Sequence, residues 1–237
     1  SNICLSGGVF ANVSVNRRVK ELGFKGIFIQ PAMTDCGLSL GACMHDHPKR
    51  DQIKPADHMY LGSMFTPKDI QSVLDRNAIS YSTPGNISKD VAELLAAGKV
   101  VARFDGAMEY GPRALGNRTI MYHCGDKSVN DWLNKQLKRT EFMPFAPVTL
   151  QEYAADRYIG YEGAERTSKF MTITFKCSPQ MKDESPAVVH IDDTARPQII
   201  DSDANPGYYD LIDSYRELTG IPTLVNTSFN MHEEPIV

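Results

Sequence analysis

The chain has 237 residues, 42% of them hydrophobic, and a formal net charge of −4. This length and apolar content suffice for a globular protein of one or two domains. No apolar run approaches the roughly 20 residues of a membrane helix, and the N-terminus resembles no signal peptide. The five cysteines form no CxxC pair, which fits a reducing compartment better than a disulfide framework or a structural zinc site. Composition therefore predicts a soluble, cytoplasmic protein, and the negative charge argues against a nucleic-acid partner.

Positive charge is concentrated in residues 99–145, which contain eight Lys and Arg against five Asp and Glu. The rest of the chain is net negative. This local excess of basic side chains predicts an anion-binding site.

The first 60 residues predict part of an α/β unit. We interpret "NICL" and "GIFIQ" as buried strands, and "NVSVNRRVKELG" between them as a helix whose Val15 and Val19 face inward. "DCGLSLGACMH" predicts a small-residue helix packed against the sheet, and a polar linker with prolines follows it. We place a domain boundary near residue 60.

Residues 61–237 mix strands and helices, as in an α+β or α/β domain. Helices are predicted to begin at Thr66-Pro67, at Ser88 and at Asn205-Pro206, the last one ending at Gly220. Strands are predicted at "KVVARFDG", "RTIMYH", "MTITFKC", "PAVVHI", "PQIID" and "IPTLVNTSFN". The segment "KSVNDWLNKQL" predicts a helix with Val129, Trp132, Leu133 and Leu137 on one face, and "NPGYYDLIDSYRELTG" a helix with Tyr208, Leu211, Ile212, Tyr215 and Leu218 inward.

The densest chemical signal is "FDGAMEYGPRALGNRT", residues 104–119, between two predicted strands. Its three glycines expose backbone N–H groups, and Arg113 and Arg118 add two guanidinium forks. Such a loop suits phosphate or carboxylate recognition. A plain connection with surface arginines fits the same composition, and both interpretations stay open.

A second basic stretch is "LKRTEFMPFAP", residues 137–147. Lys138 and Arg139 stand beside Glu141 at a predicted helix end. Basic residues there commonly complement the helix dipole, so the stretch by itself indicates a solvated face.

The third stretch, "VNTSFN", follows a predicted buried strand. Loops beyond strand ends are where α/β sheets bind ligands. The hydroxyl and amide groups of Asn226, Thr227, Ser228 and Asn230 suit a small polar ligand. An Asx or Ser/Thr turn explains the same residues equally well.

Together these stretches resemble one family. "LSGGVFANVSVNRRV", "DCGLSLGAC", "MEYGPRALGNRTI", "FMPFAP", "HIDDTARPQ" and "LTGIPTLVNTSFNMHEEPIV" are similar to the C-terminal part of the ATP-dependent O-carbamoyltransferases that modify nodulation factors and antibiotics such as tobramycin. In that family an actin-like (Kae1-like) domain precedes a YrdC-like α/β domain. The resemblance implies that residues 1–60 are the last piece of the former, that residues 61–237 are the latter, and that the chain is a fragment.

The resemblance also implies a reaction. The YrdC-like domain uses carbamoyl phosphate and ATP to form carbamoyl-adenylate, and the actin-like domain passes the carbamoyl group to a hydroxyl of a small-molecule or sugar acceptor. The basic residues that would meet the phosphate charge are Arg113, Arg118, Lys138, Arg139 and Arg196. Ser228 and Asn230 match a Ser-x-Asn motif that contacts the nucleotide or carbamoyl group, beside Asn226 and Thr227.

In the actin-like piece, Gly7 and Gly8 match a loop that approaches nucleotide phosphates, with Asn12 beside it. Asp35 matches an aspartate that completes a divalent metal site, of Fe, Mg or Mn, with two histidines of an HxxxH motif. The chain lacks that motif, because His45 and His47 are only two positions apart. Asp35 is thus an orphan ligand or a helix N-cap, and we expect no acceptor transfer by the fragment alone.

Two departures and several alternatives remain. Met143 stands where many members carry arginine, and the basic cluster before it is one residue shorter. Proteins of tRNA threonylcarbamoylation and hydrogenase maturation combine the same modules, but domain order and the absence of zinc-finger cysteines favour the first family. A nucleotide-binding module without catalysis is a third interpretation. The sequence leaves the acceptor and the oligomeric state open, a homodimer included.

Overall fold

The computed structural model of the chain describes residues 1–53, 57–128, 130, 135, 145–231 and 234–237. The strands of the described ranges are β1 (Asn2–Leu5), β2 (Gly26–Ile29), β3 (Val101–Phe104), β4 (Arg118–His123), β5 (Ala146–Leu150), β6 (Tyr158–Ile159), β7 (Phe175–Cys177), β8 (Thr194–Ala195), β9 (Gln198–Ile200) and β10 (Thr223–Ser228). The α-helices are α1 (Val13–Lys20), α2 (Cys36–Asp46), α3 (Pro67–Arg76), α4 (Ile87–Ala96), α5 (Ala154–Arg157), α6 (Glu165–Ser168), α7 (Pro179–Glu184) and α8 (Pro206–Thr219). The predicted mixed α/β class is confirmed at this level.

A five-stranded sheet with the order β3-β4-β10-β5-β9 forms the centre of the molecule. Its first four strands are antiparallel neighbours, and β9 runs parallel to β5. Because side chains alternate along a strand, adjacent residues of β10 serve different cores. Leu224 packs with helices α4 and α8 on one face, and Val225 belongs to the core on the other.

The N-terminal unit of β1, α1 and β2 contributes to that second core. Its two strands pair in parallel, and Leu5, Ile27 and Ile29 pack in the same apolar cluster as Ile120 and Val225 of the central sheet. The two parts of the chain therefore share buried surface. The domain boundary near residue 60 stays a prediction.

Backbone hydrogen bonds hold the N-terminal unit at this position. The amide of Ile27 donates to the Gly163 carbonyl at 2.8 Å, and that of Ile29 donates to Thr167 Oγ1 at 2.7 Å. Gly163 has a φ of +77°, and a Cβ built on it would lie 1.9 Å from the Lys25 carbonyl oxygen. Only glycine allows the two backbones to approach so closely.

Several sequence predictions about packing are wrong. Val15 is exposed, and Asn16 is the buried residue of α1, its amide donating to the carbonyls of Phe10 and Thr172 at 2.7 Å each. Those two bonds offset the cost of burying an amide. Helix α2 forms as predicted but buries no residue, so it is not packed tightly against a sheet.

Further sequence predictions are wrong or only partly correct. Asn86, not Ser88, caps α4, because its side chain accepts a hydrogen bond from the Lys89 amide at 3.1 Å. Leu218 is exposed near the end of α8. "PAVVHI" contains a 3-10 turn at Pro186–Val188, and "MTITFKC" is a strand only over its last three residues. Most of "KSVNDWLNKQL", with Val129, Trp132, Leu133 and Leu137, lies outside the described residues.

The other predicted strands and helices are present: β1, β2, β3, β4, β9, β10, α1, α3 and α8. Each rests on a local signal that needs no tertiary contact, such as the Thr66 capping box of α3 or the left-handed Gly220 after α8. In the part of the chain that the structure describes, no helix is long and apolar enough to cross a membrane.

Replacing Gly163 with alanine should weaken the docking of the N-terminal unit. Gly160 is the matched control, because it has the same φ of +77° but a Cβ added there would meet nothing within 4 Å. Gly160→Ala carries only the cost of the left-handed conformation, about 1 kcal/mol. Gly163→Ala should cost roughly 3 kcal/mol or more, since two backbones must separate. Chemical denaturation of both variants measures the difference, and equal losses would contradict the close approach.

Candidate functional site

Three strand ends meet at one edge of the central sheet. Ser228, the last residue of β10, pairs with Thr119 near the start of β4, and Asn226 pairs with Ala146, the first residue of β5. The amide of Phe229, just beyond β10, donates to the Arg118 carbonyl at 3.1 Å. The "VNTSFN" stretch and the end of the glycine-rich stretch are therefore neighbours in space.

The β3–β4 loop, residues 105–117, is fastened to this edge by Asn226. Asn226 is 1% exposed. Its Oδ1 accepts from Thr119 Oγ1 at 2.6 Å, and its Nδ2 donates to the Ala114 carbonyl at 3.2 Å and to Gln198 Oε1 at 2.7 Å. Gln198 Nε2 donates in turn to the Leu115 carbonyl at 2.7 Å. Asn226 therefore holds the loop against the strands, and the polar atoms of its buried amide are hydrogen-bonded to protein groups.

Glu109 holds the same loop from the other side, and the sequence analysis missed it. Its Oε1 accepts hydrogen bonds from the amides of Leu115, Asn117 and Arg118 at 2.6, 2.9 and 3.3 Å. Three converging amides form the kind of concavity that binds anions. The predicted anion-binding backbone therefore exists, but the chain's own carboxylate occupies it. The signal that could have found Glu109 is a single acid inside a loop rich in glycine and arginine.

Arg118 lies inside the protein. It is 1% exposed, its Nη1 donates to the carbonyls of Asp105 and Asn117 at 2.7 and 2.9 Å, and its Nη2 donates to Gly106 at 3.3 Å. The guanidinium stacks 3.7 Å from the centroid of Phe104. Burial lowers its pKa. A phosphate could reach Arg118 only after these contacts broke, so its placement gives it a structural role.

Arg113 has a different environment. Its Nε is buried without a hydrogen-bond partner, and burial lowers the pKa of its guanidinium. Arg17, Arg157 and Arg166 also bury Nε, but each forms an ion pair through another nitrogen. Arg113 forms none with any residue that the structure describes. A partly buried guanidinium with no counterion among the described residues is an arrangement that an incoming anion stabilises.

The Ser-x-Asn stretch is closed on itself. Ser228 Oγ donates to Asn230 Oδ1 at 2.5 Å, and Asn230 Nδ2 donates to the Glu234 carbonyl at 2.7 Å. Thr227, one residue earlier, is buried. The local Ser–Asn bond fits the turn interpretation, while both side chains stay partly accessible at the sheet edge. The ligand interpretation therefore also remains.

Arg196 lies between β8 and β9, two residues before Gln198, whose strand runs parallel to β5. The pKa of His190 is lowered, first by burial and then by the nearby charge of Arg196. Lys138, Arg139 and Met143 lie outside the described residues, so their roles stay predictions.

A second candidate site lies in the N-terminal unit. A cavity of about 550 Å³ is bounded by the loop after β1, the loop after β2 and one face of α2. Gly7, Gly8 and Asp35 all line it. The Gly7 amide donates to the Met33 carbonyl at 2.9 Å, which fixes the two loops side by side. Asp35 precedes the first residue of α2, makes no side-chain capping bond and lines the cavity.

Asn12 does not join that cavity. Its Oδ1 accepts from the amides of Ser14 and Val15 at 3.1 and 3.2 Å, which makes it the N-cap of α1. His45 does line the cavity, but ten residues of helix separate it from Asp35, about 15 Å of rise. No group of three metal-binding side chains occurs among the described residues. The chain's described residues therefore do not fit a complete metal site.

Tyr110 connects the two candidate sites. It belongs to the β3–β4 loop, yet its hydroxyl lies 2.7 Å from Ser39 Oγ and also donates to the Cys36 carbonyl in the first turn of α2. The Tyr110 amide donates to the Met59 carbonyl at 2.7 Å. The loop that carries Arg113 and Arg118 therefore also contacts helix α2, another face of which lines the N-terminal cavity.

Several characterised and uncharacterised proteins are similar to the whole chain. An uncharacterized protein of Methanocaldococcus jannaschii is 35% identical over 246 residues, which cover 99% of this chain and 40% of that protein. Nodulation protein NolO of Bradyrhizobium diazoefficiens is 33% identical over 247 residues, covering 100% and 44%. Nodulation protein U of Rhizobium tropici is 31% identical over 233 residues, covering 98% and 39%. The chain spans less than half the length of these relatives.

The solved structure of HypF from T. kodakarensis matches 67% of this chain and 19% of its own, with a TM-score of 0.45 and 20% sequence identity. A TM-score of this size does not establish a shared fold. Two family models match directly: "Carbamoyltransferase N-terminus" over residues 1–44 and "Carbamoyltransferase C-terminus" over residues 92–237. The second covers more than half of the chain and includes the β3–β4 loop, Arg196 and β10. The chain belongs to the carbamoyltransferase family.

Proposed function

We propose that the protein containing this chain transfers a carbamoyl group from carbamoyl phosphate to a hydroxyl of a small-molecule or sugar acceptor, with ATP consumed to form carbamoyl-adenylate. Family membership supports the transferase class. The observation that carries the phosphate chemistry is Arg113, a partly buried guanidinium whose Nε has no hydrogen-bond partner among the described residues, in a loop fastened on two sides.

The proposed reaction has three steps. Water cleaves carbamoyl phosphate to carbamate and inorganic phosphate. A carbamate oxygen then attacks the α-phosphorus of ATP and displaces pyrophosphate, which leaves carbamoyl-adenylate. Finally the acceptor oxygen attacks the carbamoyl carbon, AMP leaves with the electron pair of the broken C–O bond, and the hydroxyl proton passes to solvent or a base.

Arg113 would bind a phosphate group in this scheme. A planar guanidinium suits two phosphate oxygens at once. Because the group is partly buried, its attraction for the anion is weakened less by water than that of a fully exposed arginine. Charge that moves between phosphates during the first two steps needs fixed donors of this kind.

Other side chains at the sheet edge would complete the phosphate site. Arg196 immediately precedes Pro197, the residue before β9, and Ser228 ends β10, two residues before Asn230. Lys138 and Arg139 precede β5, whose first residue pairs with Asn226. Ser228 and Asn230 would hydrogen-bond the ligand in exchange for their bond to each other, and neither would act as a nucleophile. Arg118 and Asn226 would support the loop, because protein groups already use their polar atoms.

The N-terminal cavity would accept the adenylate. Gly7 and Gly8 leave room for a phosphate to approach the backbone at its rim. Asp35 is the acidic side chain in its lining that could bind a divalent ion, and the chain's described residues do not complete its coordination. No step above depends on a metal.

Arg113→Ala should abolish phosphate binding and leave folding intact. The wild-type chain should gain thermal stability from millimolar carbamoyl phosphate or ATP, because a ligand that binds only the native state stabilises it. In Arg113→Ala that gain should vanish, while the ligand-free melting temperature stays unchanged or rises, because a partly buried charge with no counterion among the described residues is removed. Differential scanning calorimetry measures both quantities. A ligand-induced shift of wild-type size in the variant would refute the assignment.

Arg118→Ala is the matched control for Arg113→Ala, and unlike that variant it should lower the stability of the fold. Removal of the Arg118 side chain takes the donor from the carbonyls of Asp105 and Gly106 and leaves a ring without its stacking partner, while the Asn117 carbonyl keeps the Asp105 amide. We expect a loss of roughly 2 to 4 kcal/mol in the free energy of unfolding, measured by urea denaturation. A variant as stable as wild type that no longer binds phosphate would show instead that Arg118 contacts the ligand.

A pyrophosphate-exchange assay distinguishes the proposed reaction from the alternative functions. In the whole protein, carbamoyl phosphate should support exchange of labelled pyrophosphate into ATP, since adenylate formation is reversible. Arg113→Ala should slow this exchange by about a hundredfold or more, the scale of one lost donor to a developing oxyanion. ATP binding without any exchange would favour a nucleotide-binding module. Exchange that requires threonine and bicarbonate instead of carbamoyl phosphate would favour threonylcarbamoyl chemistry.

A further inference from the structure

Glu109 is the buried acid closest in sequence to the proposed phosphate-binding arginine. It is 6% exposed. One carboxylate oxygen, Oε1, accepts all three amide hydrogen bonds, from Leu115, Asn117 and Arg118. The other oxygen, Oε2, is buried and has no hydrogen-bond partner among the described residues. The hydrogen bonds from the loop amides to Glu109 therefore all meet at a single acceptor atom.

The backbone that carries Arg113 is held at consecutive groups. Glu109 holds the Leu115 amide, Asn226 holds the Ala114 carbonyl, and the Leu115 carbonyl accepts from Tyr60 OH and Gln198 Nε2 at 2.8 and 2.7 Å. Only Glu109 among these bonds to amide groups of the loop, and it lies within the loop itself. It thus closes residues 109–118 into a ring around one oxygen.

We infer that Glu109 is a positioning residue for Arg113, and that it acts as a hydrogen-bond acceptor and not through its charge. The inference rests on the proposed function, because it assigns Glu109 to the phosphate site proposed above. A fixed loop keeps the partly buried Arg113 guanidinium from turning toward a protein acceptor. A ligand that binds Arg113 then does not carry the entropic cost of ordering the loop. The negative charge itself opposes anion binding nearby.

The two oxygens of Glu109 allow a sharp test. In Glu109→Gln the amide oxygen can accept the same three bonds, and the new NH₂ group replaces the oxygen that has no partner. The loop should persist, and loss of the charge should leave the affinity for carbamoyl phosphate equal to wild type or raise it severalfold. Glu109→Ala removes the acceptor, and Glu109→Asp shortens its reach by one methylene. Both should weaken binding at least tenfold.

Two measurements on the 237-residue chain separate the outcomes. Isothermal titration with carbamoyl phosphate gives the affinities. Amide hydrogen exchange at Leu115, Asn117 and Arg118, without any ligand, reports whether the loop is closed. Protection should be retained in Glu109→Gln and lost in Glu109→Ala and Glu109→Asp, while residues of the central sheet stay protected in all variants that fold.

The possible results bear on the inference as follows. If Glu109→Gln binds tenfold or more weakly, the charge is essential and the inference is wrong. If Glu109→Ala or Glu109→Asp loses protection but binds like wild type, loop closure does not position Arg113, which also overturns it. If the wild-type chain binds no carbamoyl phosphate, the proposed function fails, while the exchange data still show whether Glu109 closes the loop. Should Glu109→Ala not fold, the Gln and Asp variants decide alone.

Discussion

The candidate site depends on one buried side chain, the amide of Asn226. It joins β10 to β4 through Thr119, to β9 through Gln198, and to the β3–β4 loop through Ala114. A carboxamide can do this because it donates and accepts at once, and no apolar residue of similar size could. The cost of burying it is offset only while all three elements are in place. The sheet and the loop therefore depend on each other. The sheet edge orders the loop, and the loop supplies a hydrogen-bond partner that the buried amide at the edge needs.

The sequence predicted the parts of the fold that local signals determine. The short apolar runs of β1, β2 and β10 and the caps of α3 and α8 fall where expected. What failed depended on tertiary contacts. The burial of Asn16 in place of Val15 requires the carbonyl of Thr172, which is 156 positions away. Neither periodicity nor composition contains that information.

The candidate site was predictable as a region and not as a set of roles. Composition correctly indicated a loop of amides and guanidinium groups at residues 104–119. It could not distinguish Arg113, whose guanidinium lacks a partner within the described ranges, from Arg118, whose guanidinium is bonded to three carbonyls. It also could not show that an internal carboxylate fills the amide concavity. Spacing reports which groups are present, while burial and pairing decide which of them a ligand can use.

The Tyr110 hydroxyl gives the β3–β4 loop a thermodynamic consequence. The same loop borders Arg113 and hydrogen-bonds the first turn of α2, next to Asp35. This contact is a physical route by which occupancy of one proposed site could change the affinity of the other. Thermodynamic linkage requires that any such change be the same factor in both directions.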